Sequence, residues 1–144
     1  MGKSVKDAMT SDVKTAAPSQ SLTDVARLMK QEDVGSVPVV DGERLIGVVT
    51  DRDIVVRGIA DGSDPHAIKA GDIASRDVVT VRPGDDLDDA MRLMAQHQVR
   101  RLPVVDEQRL VGMLAQADVA SEAKASKTGE VVEEISQRAG GERR

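Results

Sequence analysis

Val37-Pro38-Val39-Val40-Asp41, followed by Arg44-Leu45 and Gly47, returns as Leu102-Pro103-Val104-Val105-Asp106, Arg109-Leu110 and Gly112. The offset of 65 residues holds well beyond this stretch. Residues 7–53 and 72–118 align without a gap, and 20 of the 47 positions are identical. A unit copied in this way is one supersecondary set whose copies bury their apolar faces on each other. Two copies also bring two related clefts, so the functional question becomes what that pair of clefts holds.

Each copy reads as strand, helix, strand, strand, helix. Val13-Lys14-Thr15 is short and extended, and Pro18 keeps a helix from starting early. Ser21 suits an N-cap, with Asp24 in the position of a capping-box acid. Leu22, Val25, Ala26, Leu28 and Met29 then form one apolar stripe. The second copy repeats the device with Asp86 and Asp89, then Leu87, Ala90, Met91, Leu93 and Met94. Val37–Val40 is β-branched, and Asp41-Gly42 turns the chain into Leu45–Val49, a hairpin. Asp106-Glu107 lacks the glycine and leaves the second turn open. Thr50 stands as N-cap before Asp51-Arg52-Asp53-Ile54-Val55-Val56-Arg57, with acids at the positive end of the helix dipole.

These signals divide the chain. Residues 1–60 hold a lead-in helix (Ser4–Met9) and the first repeat, and 61–67 form a Gly/Ser/Asp/Pro linker. Residues 68–121 hold the second repeat, its lead-in at Ile68–Ile73 echoing the first. Residues 122–144 are a polar tail in which Thr128 is placed to cap a short helix over 129–138 carrying Val131, Val132 and Ile135.

Composition excludes several classes. A net charge of −5 repels duplex DNA and anionic membrane surfaces. There is no cysteine, hence no disulfide framework and no thiolate metal site. With no run long enough to span a membrane and no apolar start, the expected location is the cytoplasm. Phe, Tyr and Trp are all absent, so a planar ligand has only aliphatic walls, and the aromatic platforms of single-strand binders are missing. His66 and His97 have no second ligand at metal spacing. Asp85-Asp86-Asp88-Asp89 lacks the spaced loop and terminal Glu of a calcium hand and fits helix-start acids. No segment reads as an activated nucleophile, so the chain is not expected to be an enzyme.

The ordered pattern resembles the CBS domain: a Thr at the first strand, an acid-capped helix, an apolar-Pro-Val-Val-Asp strand, then Gly-apolar-apolar-Thr-x-x-Asp. Two copies resemble a tandem CBS pair (Bateman module) over residues 5–120. Gly47-Val48-Val49-Thr50-Asp51-Arg52-Asp53 matches the family's nucleotide-contact segment in full. The chain is similar to small stand-alone bacterial CBS-pair proteins, and in Thr50–Val56 and Gln98–Val104 to the actinobacterial hypoxic-response type. The resemblance implies an α/β (α+β) fold, two β-α-β-β-α repeats packed through their sheets with pseudo-two-fold symmetry. It also implies an adenosine-containing ligand in inter-repeat clefts, and homodimers forming a flat disc of four repeats.

The chemistry of the first cleft can be stated without the family. A carboxylate such as Asp53 can accept from both hydroxyls of a ribose. Thr50, one turn earlier at a helix N-terminus, sets its hydroxyl and free N–H groups toward a phosphate. The same two residues can also be read simply as caps. By resemblance the base lies near Thr15-Ala16 and Val37-Pro38, and Asp51 and Arg52 complete the segment. The second cleft, assigned to Thr80, Val81, Arg100, Arg101, Leu102, Pro103 and Asp118, keeps the Asp but has Ala115 for the Thr. Arg100-Arg101 replace Gly35-Ser36 and suit phosphate oxygens; a solvated strand end or a dimer salt bridge is the plainer reading.

The expected function is a non-catalytic module binding AMP, ADP or ATP, ahead of S-adenosylmethionine, without a cofactor, and signalling to an effector protein through lobe or dimer geometry. The alternative is a dimeric stress-response or interaction protein with vestigial clefts. Dimerisation is expected because Ile54-Val55 and Val119 need cover.

Overall fold

Pro18 and Pro38 set the length of the first strand. In the computed structural model, which describes residues 3–126 and the side chains of residues 3–122, Ala16 makes a single parallel bridge to Val39. Ala16 N–H donates to the Pro38 carbonyl and Val40 N–H donates to the Ala16 carbonyl, both at 2.9 Å. Extending this ladder one step either way needs an N–H from Pro38 or from Pro18, and neither has one. The strand expected at Val13-Lys14-Thr15 is therefore reduced to one bridge at Ala16. Pro83 and Pro103 bracket the matching bridge of Val81 to Val104 in the same way. The helix expected over 129–138 lies outside the described residues.

The chain forms two compact units. One comprises residues 14–78 with 108–110. Helix α2 (Leu22–Glu32) starts where Ser21 Oγ accepts from Asp24 N–H at 3.1 Å and ends on left-handed Asp33 (φ 55°). It buries Leu22, Val25 and Met29. Strand β1 (Ser36–Asp41) pairs antiparallel with β2 (Arg44–Thr50), Val37 opposite Val49 and Pro38 opposite Val48. The register slips between Val39 and Val40, which leaves Ile46 as the extra residue of a bulge. Helix α3 (Asp51–Asp53) follows, and Ile54–Ile59 continues it as a π-helix with Ala60 N–H donating to the Val55 carbonyl at 2.8 Å. The α-helix expected here is thus widened, at the place where Gly58 packs so closely on Leu22 that a Cβ would lie 2.8 Å from Leu22 Cδ1. Helix α4 (Ala70–Ile73) completes the core, with Ala70, Ile73 and Ala74 against Leu22, Val25 and Val49.

The other unit comprises residues 3–13, 79–107 and 111–126. It contains α1 (Val5–Ala8), α5 (Leu87–His97), β3 (Arg101–Asp106), β4 (Arg109–Ala115) from residue 111 onward, and α6 (Gln116–Ser126). Its core joins Val5 to Leu87, Met94, Leu102, Val104, Leu114 and Val119. The hairpin turn left open by the sequence forms with Glu107 and Gln108 both left-handed, φ 52° and 71°.

Each lead-in is thus built into the unit of the other copy. Val5 N–H donates to the Asp85 carbonyl, and Thr10 and Met113 exchange N–H···O bonds at 2.9 Å. Ala70 N–H donates to the Gln20 carbonyl, and Ser75 and Val48 exchange bonds at 2.9 and 3.0 Å. The two glycines at matching positions make room for this approach. A Cβ on Gly47 would lie 2.5 Å from the Ser75 carbonyl oxygen, and one on Gly112 would lie 2.9 Å from that of Thr10. Of the apolar residues expected to need cover, Val55 is exposed and Ile54 and Val119 are already buried. Ile54 and Val119 are 9% and 8% exposed, whereas Val55, Val56 and Ile59 are 56%, 46% and 55% exposed.

Two outcomes follow. Gly47→Ala forces backbone apart and is expected to cost about 1–3 kcal/mol in urea unfolding. Gly84→Ala, with nothing within 4 Å of the new Cβ, is the control and should change stability by less than about 1 kcal/mol. The second outcome concerns acid. Ser4 donates to Asp7 Oδ2 from its backbone N–H at 2.9 Å and its hydroxyl at 3.2 Å, and the backbone bond chiefly holds the Asp7 carboxyl below its ordinary 3.8. A carboxyl held low adds stability above its unfolded value, lost as pH falls through the folded one. Asp7→Asn should therefore melt earlier than the wild type at neutral pH, and the difference should vanish in melts below the ordinary carboxylate range.

Candidate functional site

The junction of β2 and α3 fixes the first constellation. Thr50 Oγ1 accepts from Asp53 N–H at 3.0 Å, and Asp53 Oδ2 accepts from Thr50 N–H at 2.9 Å. This reciprocal cap leaves the Thr50 hydroxyl proton and Asp53 Oδ1 without a described partner, so capping and ligand binding are compatible. Asp51 N–H donates to the Gly35 carbonyl at 2.9 Å, tying the helix start to the start of β1. A Cβ on Gly35 would lie 3.0 Å from Asp51 Oδ2, so the glycine gives this carboxylate its place. Arg52 and Asp51 are exposed, and Thr50 and Asp53 are half-buried.

The matching junction of β4 and α6 keeps half of this device. Asp118 Oδ2 accepts from Ala115 N–H at 3.1 Å, and Gln116 N–H donates to the Arg100 carbonyl at 2.8 Å. Ala115 has no hydroxyl to accept from Asp118 N–H. A cavity of about 160 Å³ opens here, lined by Thr10, Arg100, Arg101, Ala115, Gln116, Ala117 and Asp118. Of the residues assigned to the second cleft, the structure brings Arg100, Arg101 and Asp118 to this cavity. Val81, Leu102 and Pro103 are buried and do not line it, and Thr80 is exposed.

Around the first bridge, Thr15 is half-buried, and the side chains of Ala16, Val37 and Pro38 are buried. The N–H and carbonyl of Ala16 are both engaged with β1. Sequence reasoning missed Thr10 and Gln116. Thr10 reaches the cavity through its backbone bonds to Met113, and no local motif announces that pairing. Among the described residues no three His, Cys, Asp or Glu side chains cluster as for a metal ion, and no helix is long and apolar enough to cross a membrane.

Comparison with known proteins places this geometry. Residues 5–58 and 70–125 each match the family model described as CBS domain. The CBS domain-containing protein YhcV of Bacillus subtilis (strain 168) is 47% identical over 117 residues, 81% of this chain and 83% of that protein. A crystal structure of Hypoxic Response Protein I with two coordinated zinc ions superposes with a TM-score of 0.76 at 37% identity, covering 83% of this chain and 98% of the other. A crystal structure of CBSX2 in complex with AMP does so with a TM-score of 0.78 at 31% identity, covering 88% and 100%.

Proposed function

The chain belongs to the CBS-domain family, with the domain present twice, and on that premise we propose that it is a regulatory module that binds an adenosine-containing ligand. The observation that carries the reading is the orientation of two carboxylates. Asp53 and Asp118 each give one oxygen to the backbone N–H three residues earlier and keep Oδ1 for a ligand. A carboxylate fixed in this way is organised in advance to accept two neighbouring hydroxyls, as a ribose presents them. Beside Asp53, the Thr50 hydroxyl proton suits a phosphate oxygen, whereas the first-turn N–H groups expected to help are engaged, Asp51 with the Gly35 carbonyl, Arg52 with Asp51 Oδ1 and Asp53 with Thr50 Oγ1. That CBSX2 is described in complex with AMP supports an adenine nucleotide over other ribosides. AMP, ADP or ATP come first in this proposal and S-adenosylmethionine after them; no residue is assigned a catalytic role. The output passes to an effector protein, in the cytoplasm.

Absorbance tests the reading directly, because a chain without Trp or Tyr is nearly silent at 280 nm. A co-purifying adenine is expected to appear near 260 nm. Adding AMP at about 100 times its dissociation constant is expected to stabilise by about 2.7 kcal/mol, read as a rise of several degrees in a circular-dichroism melt. Asp53→Asn together with Asp118→Asn should abolish the rise while leaving a cooperative melt. A silent spectrum and no rise with any adenosyl compound would instead favour an interaction protein with empty clefts, in keeping with the likeness to a hypoxic response protein.

Dimerisation is part of the same proposal. The exposed face of Val55, Val56 and Ile59 is apolar surface that a second copy would cover. Light scattering should give twice the 15.3 kDa of one chain at micromolar concentration; a mass near 15.3 kDa would remove the dimer from the account.

A further inference from the structure

Resting on the dimer in that reading, we propose that the chain pairs head to head, with the strip of Val55, Val56 and Ile59 packed on the same strip of a second copy. The widened helix after Asp53 builds this strip. Ile54 and Gly58 turn inward, Gly58 directly against Leu22, and the three aliphatic side chains between and after them are left outward. Val55 and Val56 lie about one helical turn before Ile59, so the three are neighbours on one face. Among the described residues Val99 is the one other large apolar side chain classed with them as exposed, and it belongs to the other unit. A contiguous apolar strip of this kind is surface that a partner covers.

The difference between the two repeats selects the orientation. The 65-residue offset carries Val55, Val56 and Ile59 onto Ala120, Ser121 and Lys124 in α6. Ser121 is exposed and Ala120 half-buried. A head-to-tail pair sets the aliphatic strip of one copy against that polar stretch of the other, and does so twice. It takes a hydroxyl and a lysine charge out of water without an apolar surface to match. A head-to-head pair covers aliphatic with aliphatic, and a two-fold axis through the strip needs no second complementary surface. Arg57, the one charged residue within Ile54–Ile59, and Asp61 are both exposed, and neither forms an ion pair with a described residue. The two-fold axis offers Arg57 of each copy the Asp61 of the other at the rim. Because the strip begins two residues after Asp53, the pairing also sets one Thr50–Asp53 constellation on each side of the axis.

A chain without cysteine allows crosslinking at chosen positions with no background. In the full chain, Val56→Cys alone and Ile59→Cys alone should each give a two-chain species with a short bismaleimide, and Ser121→Cys alone should not. Val56→Asp, at an exposed position, should keep a cooperative melt while raising the dimer dissociation constant by about a hundredfold in light scattering. Ser121→Asp should leave the wild-type mass unchanged. A dimer in which neither Val56→Cys nor Ile59→Cys links to itself, while Val56→Cys mixed with Ser121→Cys does link, overturns the head-to-head pairing in favour of head-to-tail. A wild-type mass near 15.3 kDa overturns the pairing together with the dimer itself. If Val56→Cys and Val132→Cys then join within one chain, the strip is covered by residues 127–144 instead. The AMP melt is a separate measurement, so each of these failures leaves the adenosyl reading standing or falling on its own test.

Discussion

Two pairs of backbone hydrogen bonds carry this architecture: Thr10 with Met113, and Ser75 with Val48. Each pair lies beside a glycine whose missing Cβ is what allows the approach. Through them, the lead-in of each copy supplies a wall to a core otherwise made by the other copy. Val5 is fully buried among residues of the second repeat, and Ala70 among those of the first. With no aromatic side chain available, these cores consist of small and medium aliphatic groups. The extra wall therefore matters more than it would in a core built on Phe or Trp.

The paired caps link this scaffold to chemistry. Both copies keep the carboxylate-to-backbone bond, at Asp53 and at Asp118, and only one keeps the threonine hydroxyl. Losing a Thr cap to Ala costs about 1 kcal/mol in typical helices. The bond kept in both units orients the carboxylate, and Ala115 lacks the hydroxyl that accepts from Asp53 N–H in the other unit.

Much of this was legible in the chain. The hairpin at Asp41-Gly42, the caps at Ser21 and Thr50 and the apolar stripes of α2 and α5 follow from local residue chemistry, and the structure has them. The prolines were legible as punctuation but not as what they are, paired stops that confine the first strand to one bridge. Of the candidate site, the reciprocal cap of Thr50 and Asp53 was legible from local spacing, and the repeat offset pointed to Arg100, Arg101 and Asp118, which line one cavity. It was not legible for Thr10, because the same offset relates every residue to its copy and nothing local says which copy a lead-in joins. The π-helical stretch after Asp53 goes with the close packing of Gly58 on Leu22, and the left-handed Glu107-Gln108 turn forms without the glycine that would have signalled it.

The exchanged lead-ins also bear on how the chain is made. Val5 and Ala8 are synthesised well before the residues they pack against, which begin at Val79 and end at Val119. The first repeat, in turn, lacks Ala70, Ile73 and Ala74 until the linker and the second lead-in have been synthesised. Folding that waits on contacts so far apart in sequence is slow relative to local closure. During that wait the amino-terminal helix has an apolar side with nothing to sit on. Its four-residue length and its neighbours Lys3, Lys6 and Asp7 keep that nascent surface small and charged at its margins.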